Sequence, residues 1–138
     1  MPTFRDSAEV YAVQGVFLEA VTKDPQLRPR FVGANTSFLV NYTDPEASIL
    51  VDCTQDPPVV TTDVPADTKA EIGLRMGADE GHKFWLGQLN MTAAMARRRV
   101  AISGSMAKAM KLLPAMKPAF PRYKAFLEAN GFADKLPQ

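Results

Sequence analysis

The sequence predicts a single α+β domain in which five short strands form a sheet covered by helices mainly on one face. Three observations lead there. Runs alternating apolar and polar residues fill most of the stretch from Ser37 to Met76 and return at 98–103. Apolar stripes at helical spacing flank them, at 7–22 and again from Ala78 onward. No repeat, linker or low-complexity segment divides the 138 residues, a length that suits one core.

Each element has a local reason. In 7–22 the apolar side chains Val10, Val13, Phe17, Leu18 and Val21 recur as one helical stripe. Ser7 is placed to cap its start, and Asp6 and Glu9 suit the positive helix end. Two prolines in "KDPQLRPRF" then break the helix. In "SFLVNY" the residues Phe38, Val40 and Tyr42 share one strand face. Asp44-Pro45 reads as a type I turn, after which Ala47, Ile49, Val51 and Cys53 share a face. A further turn at "QDPP" leads into "VVTTDV", completing an antiparallel meander. In "KAEIGLRM" the residues Ala70, Ile72, Leu74 and Met76 oppose Glu71, Gly73 and Arg75, so one sheet face is buried and the other wet.

A helix starts near Ala78 with acids in its first turn, and Gly87 ends it. Met91 and Met95 lie one turn apart on a short helix, and "RRVAIS" is the fifth strand, with Val100 and Ile102 on one side. Gly104 and Ser105 open a Met-rich helix on which Met106, Ala109, Met110 and Leu113 fall at i, i+3, i+4 and i+7. Pro114, Pro118 and Pro121 cut the following chain into pieces. The last helix aligns Tyr123, Phe126 and Leu127 and stops at Asn130-Gly131.

Composition is that of a soluble globular protein, 46% apolar and 22% charged. No apolar run is long enough to span a membrane, and the N-terminus lacks the pattern of a secretory signal. Net charge is +1, yet residues 1–96 carry 7 basic and 13 acidic side chains and residues 97–138 carry 9 and 2. That asymmetry reads either as a face for an anionic partner or as a basic end complementing the acidic end of the same domain. Arg97-Arg98-Arg99 divides the same way, between phosphate contact and a charged strand edge that resists pairing. No nucleic-acid motif is present.

Catalytic actors are scarce. A lone histidine, His82, and a lone cysteine, Cys53, build neither a zinc site nor a disulfide, so no metal or cofactor is expected. His82 reads as a surface residue and Cys53 as a small buried hydrophobe. Ser105 follows a glycine but lacks a nucleophile-elbow context, and no glycine-rich phosphate loop occurs. The Met-rich helix and the Met91–Met95 pair read either as plain core or as an adaptable apolar ligand surface.

From Ala70 onward the chain resembles the sterol carrier protein 2 (SCP2) family. The likeness is carried by "AEIGLRM", by "GADEGHKFWLGQLN" with its Gly87, Leu89 and Asn90, and by "RVAISGSMAKAMKLL". The tail "LLPAMKPAFPRYKAFLEANG" looks like that of stand-alone bacterial members. The resemblance implies a five-stranded mixed sheet with helices on one side, enclosing an apolar tunnel. It implies non-catalytic binding and transfer of a sterol or steroid, fatty acid, fatty acyl-CoA or phospholipid in the cytoplasm. Tunnel-lining candidates are Ile72, Leu74, Phe84, Trp85, Leu89, Met91, Met95, Ile102, Met106, Met110 and Leu113. The basic region 97–138 would touch an anionic membrane transiently, and a homodimer is compatible. Residues 114–138 form a helical extension of the one domain, 1–138, and Met116, Phe120 and Phe126 are placed to fill the tunnel mouth. The alternative is an accessory subunit of a lipid-metabolising enzyme with the same fold and a filled cavity. Arg98 stands where the family has a small residue, so the turn before the fifth strand is expected to differ.

Overall fold

Strand alternation decides which side of the sheet meets the core. In the computed structural model, which describes residues 2–137, the strands are β1 Ser37–Thr43, β2 Ala47–Asp52, β3 Val59–Thr62, β4 Ile72–Gly77 and β5 Val100–Gly104. Their order is β3-β2-β1-β4-β5. β1 and β4 run parallel, and the other neighbours are antiparallel. The sheet is therefore mixed, with the expected β1–β2–β3 meander on one side. Register puts Val51, Phe38 and Ile72 side by side, then Ile49, Val40, Leu74 and Ile102, then Ala47, Tyr42, Met76 and Val100. These are the faces the sequence alternation assigns inward, while Asn41, Arg75, Ala101 and Ser103 on the opposite face are exposed.

The N-terminal helical run consists of α1 Ser7–Val10, a π-helical turn Tyr11–Gly15 and α2 Val16–Val21. Its cap is Asp6 rather than Ser7: Asp6 Oδ1 accepts from the Glu9 N–H at 2.9 Å. The segment read as a proline break contains a short helix, α3 Arg28–Ala34. Pro29 lies in its first turn, where a missing N–H costs nothing. In the β1–β2 turn, Asp44 takes φ 52°, in the left-handed region.

α4 Ala78–Trp85 and α5 Met91–Ala96 lead into β5, followed by α6 Met106–Met116, a 3₁₀ turn Lys117–Ala119, α7 Phe120–Ala129 and a last 3₁₀ turn Ala133–Lys135. Gly87 closes α4 as expected, at φ 75°, with Gly87 N–H bonding Phe84 O and Gln88 N–H bonding Lys83 O, both at 2.9 Å. That is a Schellman stop. α5 stops the same way, but with Arg98 in the left-handed position at φ 61° and Arg99 N–H on Ala94 O at 2.8 Å. Pro114 does not cut α6, which runs through it. Pro114 has no N–H to give the Met110 carbonyl one turn earlier, and the proline lies on the exposed side of the helix.

All these elements bury their apolar faces into one cluster that extends from Phe4 to Leu127.

Candidate functional site

Between the inward sheet face and the helices lies a small apolar void. Its floor is Phe38, Val40, Tyr42, Leu74 and Met76 from β1 and β4. Its roof is Gly81, Phe84 and Trp85 of α4, Met91 of α5 and Met116 of α6. The free space amounts to about 10 Å³, room for one water molecule at most. Among the described residues this void does not widen into the expected open tunnel. Met91, Met116, Phe84 and Trp85 close it, and flexible methionines fill such irregular space well.

Four of the sequence-selected residues line this void: Leu74, Phe84, Trp85 and Met91. Ile72 is fully buried nearby on β4, and Leu89 and Ile102 are half-buried against the same core. Met95, Met106 and Met110 are exposed, and Leu113 is half-buried. The methionine row of α6 therefore faces solvent, where a cavity-facing row was expected. The buried stripe of that helix is Ala109, Leu112 and Met116. Of the three extension residues considered as fillers, only Met116 reaches the void. Phe120 stacks edge-on against Phe84 with centroids 5.3 Å apart, and Phe126 lies 5.7 Å from Phe17.

A buried polar chain starts at Tyr42, which lines the void, and leads away from it. Tyr42 Oη donates to Gln14 Oε1. Gly81 makes room for it, since a Cβ there would sit 2.4 Å from the Tyr42 ring. Gln14 is fully buried, and its Nε2 has no hydrogen-bond partner among the described residues. Tyr123 Oη, beside the same amide, bonds His82 Nδ1 at 2.7 Å. His82 Nε2 bonds the Lys135 carbonyl at 2.7 Å. A carbonyl only accepts, so Nε2 carries the proton and Nδ1 accepts from Tyr123.

His82 is thus a buried residue rather than a surface one. Burial foremost lowers its pKa below 6.5, with the Lys135 charge acting in the same direction. Burial likewise pushes both tyrosine hydroxyls above their ordinary value. Cys53 is buried as expected, and its thiol is pushed up to about 12 by burial and by the Asp52 charge. The sequence reading passed over Gln14, although the signal was there. Gln14 lies four residues from both Val10 and Leu18, in the middle of the apolar stripe. A polar side chain in that place needs a reason.

The uneven charge is partly consumed within the molecule. Arg99, Lys108, Arg122 and Lys135 from the basic end pair with Glu80, Glu71, Asp24 and Glu9. Only Lys135–Glu9 is buried on both sides, with side chains 7% and 9% exposed at 2.9 Å. Arg97, Arg98, Lys111, Lys117 and Lys124 remain exposed. Among the described residues, no helix is long and apolar enough to cross a membrane.

The model of the SCP-2 sterol transfer family matches residues 17–117. The structure of the sterol carrier protein domain 2 of Helicoverpa armigera is similar, with TM-score 0.66 and 19% identity over 82% of this chain and 89% of that one. Sterol carrier protein 2 from Yarrowia lipolytica, in its apo form, gives TM-score 0.60 and 19% identity over 82% and 91%. The ubiquinone synthesis protein UbiJ-SCP2 gives 0.59 and 13% over 86% and 95%. At these identities the structural likeness is one of fold. No curated protein sequence matches the chain.

Proposed function

The chain belongs to the SCP-2 sterol transfer family, and from that premise we propose that it binds one apolar lipid between sheet and helices and carries it without chemical change. The observation that supports this is the apolar void roofed by side chains that can give way. Burying a long acyl chain contributes about 0.8 kcal/mol per CH₂, on the order of 10 kcal/mol in all. Turning a few methionines and aromatic rings costs about 1 kcal/mol each, so the lipid wins. α5 is the wall with least to lose, since Ala94 is its one buried residue. Its outward movement takes Met91 with it and joins the void to the exposed Met95.

The ligand classes in view are a sterol or steroid, a fatty acid, a fatty acyl-CoA and a phospholipid. In this reading Ile72, Leu74, Phe84, Trp85, Leu89, Met91, Met95 and Ile102 line the widened cavity. Met106, Met110 and Leu113 form its outer lip. The exposed cations Arg97, Arg98, Lys111, Lys117 and Lys124 bring that lip to an anionic membrane surface in the cytoplasm.

One observation favours a second reading. Free space of about 10 Å³ is also what a filled core looks like, and the fold likeness extends to UbiJ-SCP2. On that reading the chain is an accessory subunit, and exposed Met106 and Met110 meet a protein or a second copy. Native mass spectrometry after incubation with a lipid panel separates the two. A one-to-one lipid adduct supports the carrier. A bare mass with every lipid, together with a stable dimer or a captured enzyme, supports the subunit.

A further inference from the structure

The amide of Gln14 lies behind the wall of the void, hydrogen-bonded to Tyr42, which lines it. Gln14 is fully buried, its Oε1 is taken by the Tyr42 hydroxyl, and its Nε2 has no hydrogen-bond partner among the described residues. Tyr42 itself lines the void, and its hydroxyl lies 2.6 Å from where a Gly81 Cβ would be, at the same wall. The neighbouring Tyr123 hydroxyl donates to His82, and its oxygen lies near the Gln14 amide but outside hydrogen-bond geometry with Nε2. The residue lies in the π-helical turn Tyr11–Gly15, and such turns concentrate at functional sites. An orphan donor in the interior costs as much as a lost hydrogen bond. The fold keeps one here, next to the cavity.

We infer that Gln14 anchors the polar end of the bound lipid and that this end is an uncharged oxygen, a ketone or ester carbonyl or a hydroxyl. The inference rests on the carrier reading above. The charge state follows from the surroundings. The polar groups connected to the void through Tyr42 are the Gln14 amide, a second tyrosine hydroxyl and a neutral histidine. Lys135, whose carbonyl bonds His82, has its ammonium already held by Glu9 and the Thr3 carbonyl. An ionised carboxylate brought here would lose its water and find no counter-charge.

The test uses the intact protein at pH 8 and the fluorescence of Trp85, the single tryptophan, which lies in the wall of the void. The probes are dodecane, dodecan-2-one, dodecan-6-one and dodecanoate. The two ketones differ only in where the carbonyl sits, so wild-type protein alone tests the anchor. Dodecan-2-one is expected to bind about tenfold tighter than dodecan-6-one. In Gln14→Leu that preference falls to near unity while dodecane binds unchanged. Equal binding of the two ketones by wild type overturns the anchor, as when a water partners the amide, and leaves the carrier reading intact. Dodecanoate binding more tightly than dodecan-2-one overturns the uncharged class. No binding of any probe overturns the carrier reading, and the anchor with it.

Discussion

With both ring nitrogens hydrogen-bonded and the side chain out of water, His82 is held neutral. Unfolding returns it to a value near 6.5. Between the lowered folded value and 6.5, the unfolded chain binds the extra proton, so stability rises with pH across that window. The contribution is complete above 6.5 and is lost as pH falls through the folded value. The carboxylates Glu9, Asp24, Asp52 and Glu71, all lowered, act only from their ordinary values of 4.5 or 3.8 downward. Urea unfolding is therefore expected to show a loss below pH 6.5 of at most about 1.4 kcal/mol per pH unit, and His82→Gln to flatten it. An unchanged slope in the variant would assign the loss elsewhere; the other charges facing the ring are Lys135 and Asp79. A second residue-scale expectation concerns Arg98. A non-glycine residue at φ 61° costs about 1–2 kcal/mol, and glycine returns part of that gain as chain entropy. Arg98→Gly is expected to raise stability by up to about 1 kcal/mol, and Arg98→Ala not at all. Arg98, the residue expected to alter the turn before β5, occupies the left-handed position of that stop. The sequence reading had no means of burying His82, because Tyr123 and Lys135 arrive from far along the chain.

At the scale of elements, strand faces were legible and helix faces less so. A strand has two faces, and alternation chooses between them. β1, β2 and β4 bury the residues the alternation selects, and β5 buries Val100 and half-buries Ile102. A helix offers many overlapping stripes. On α6, Met106–Ala109–Met110–Leu113 and Ala109–Leu112–Met116 both satisfy helical spacing. The choice between them is made by contact with β4 and α3, which periodicity does not contain. The two stripes should separate cleanly in stability. Leu112→Ala removes a side chain 2% exposed and is expected to cost about 3 kcal/mol. Met110→Gln, at 62% exposure, is expected to change stability by less than about 0.5 kcal/mol. Equal costs in urea titration would mean that Met110 is buried in solution, by a partner or by movement of α6. The same argument explains α3. Two prolines read as a break, yet one of them sits where a first helical turn accepts it.

For the whole molecule the question is whether the segment beyond residue 117 is an appendage. The family match ends there, but the core does not. Ala119, Tyr123 and Leu127 are completely buried, and Phe120, Phe126, Phe132 and Leu136 pack half-buried against the same cluster. Tyr123 meets Phe17 at 4.9 Å between centroids. The final turn returns to the N-terminus, where Lys135 Nζ reaches the Thr3 carbonyl and Glu9, both at 2.9 Å, and lies 5.3 Å from the Phe4 ring centroid. Burying a Tyr or Leu contributes about 2 kcal/mol and the half-buried side chains about half that each. The segment thus supplies on the order of 8 kcal/mol, comparable with the 5–15 kcal/mol that holds a typical domain together. A chain ending at Lys117 is accordingly expected to lose cooperative unfolding in calorimetry and to show exchange-labile amides in β1 and β4. If it instead melts cooperatively near the full-length temperature, residues 118–137 are a separable cover. Their removal would then open the end of the void nearest Trp85 and Phe120, and lipid binding should strengthen. Retained cooperativity with unchanged binding would place the entrance at α5 alone.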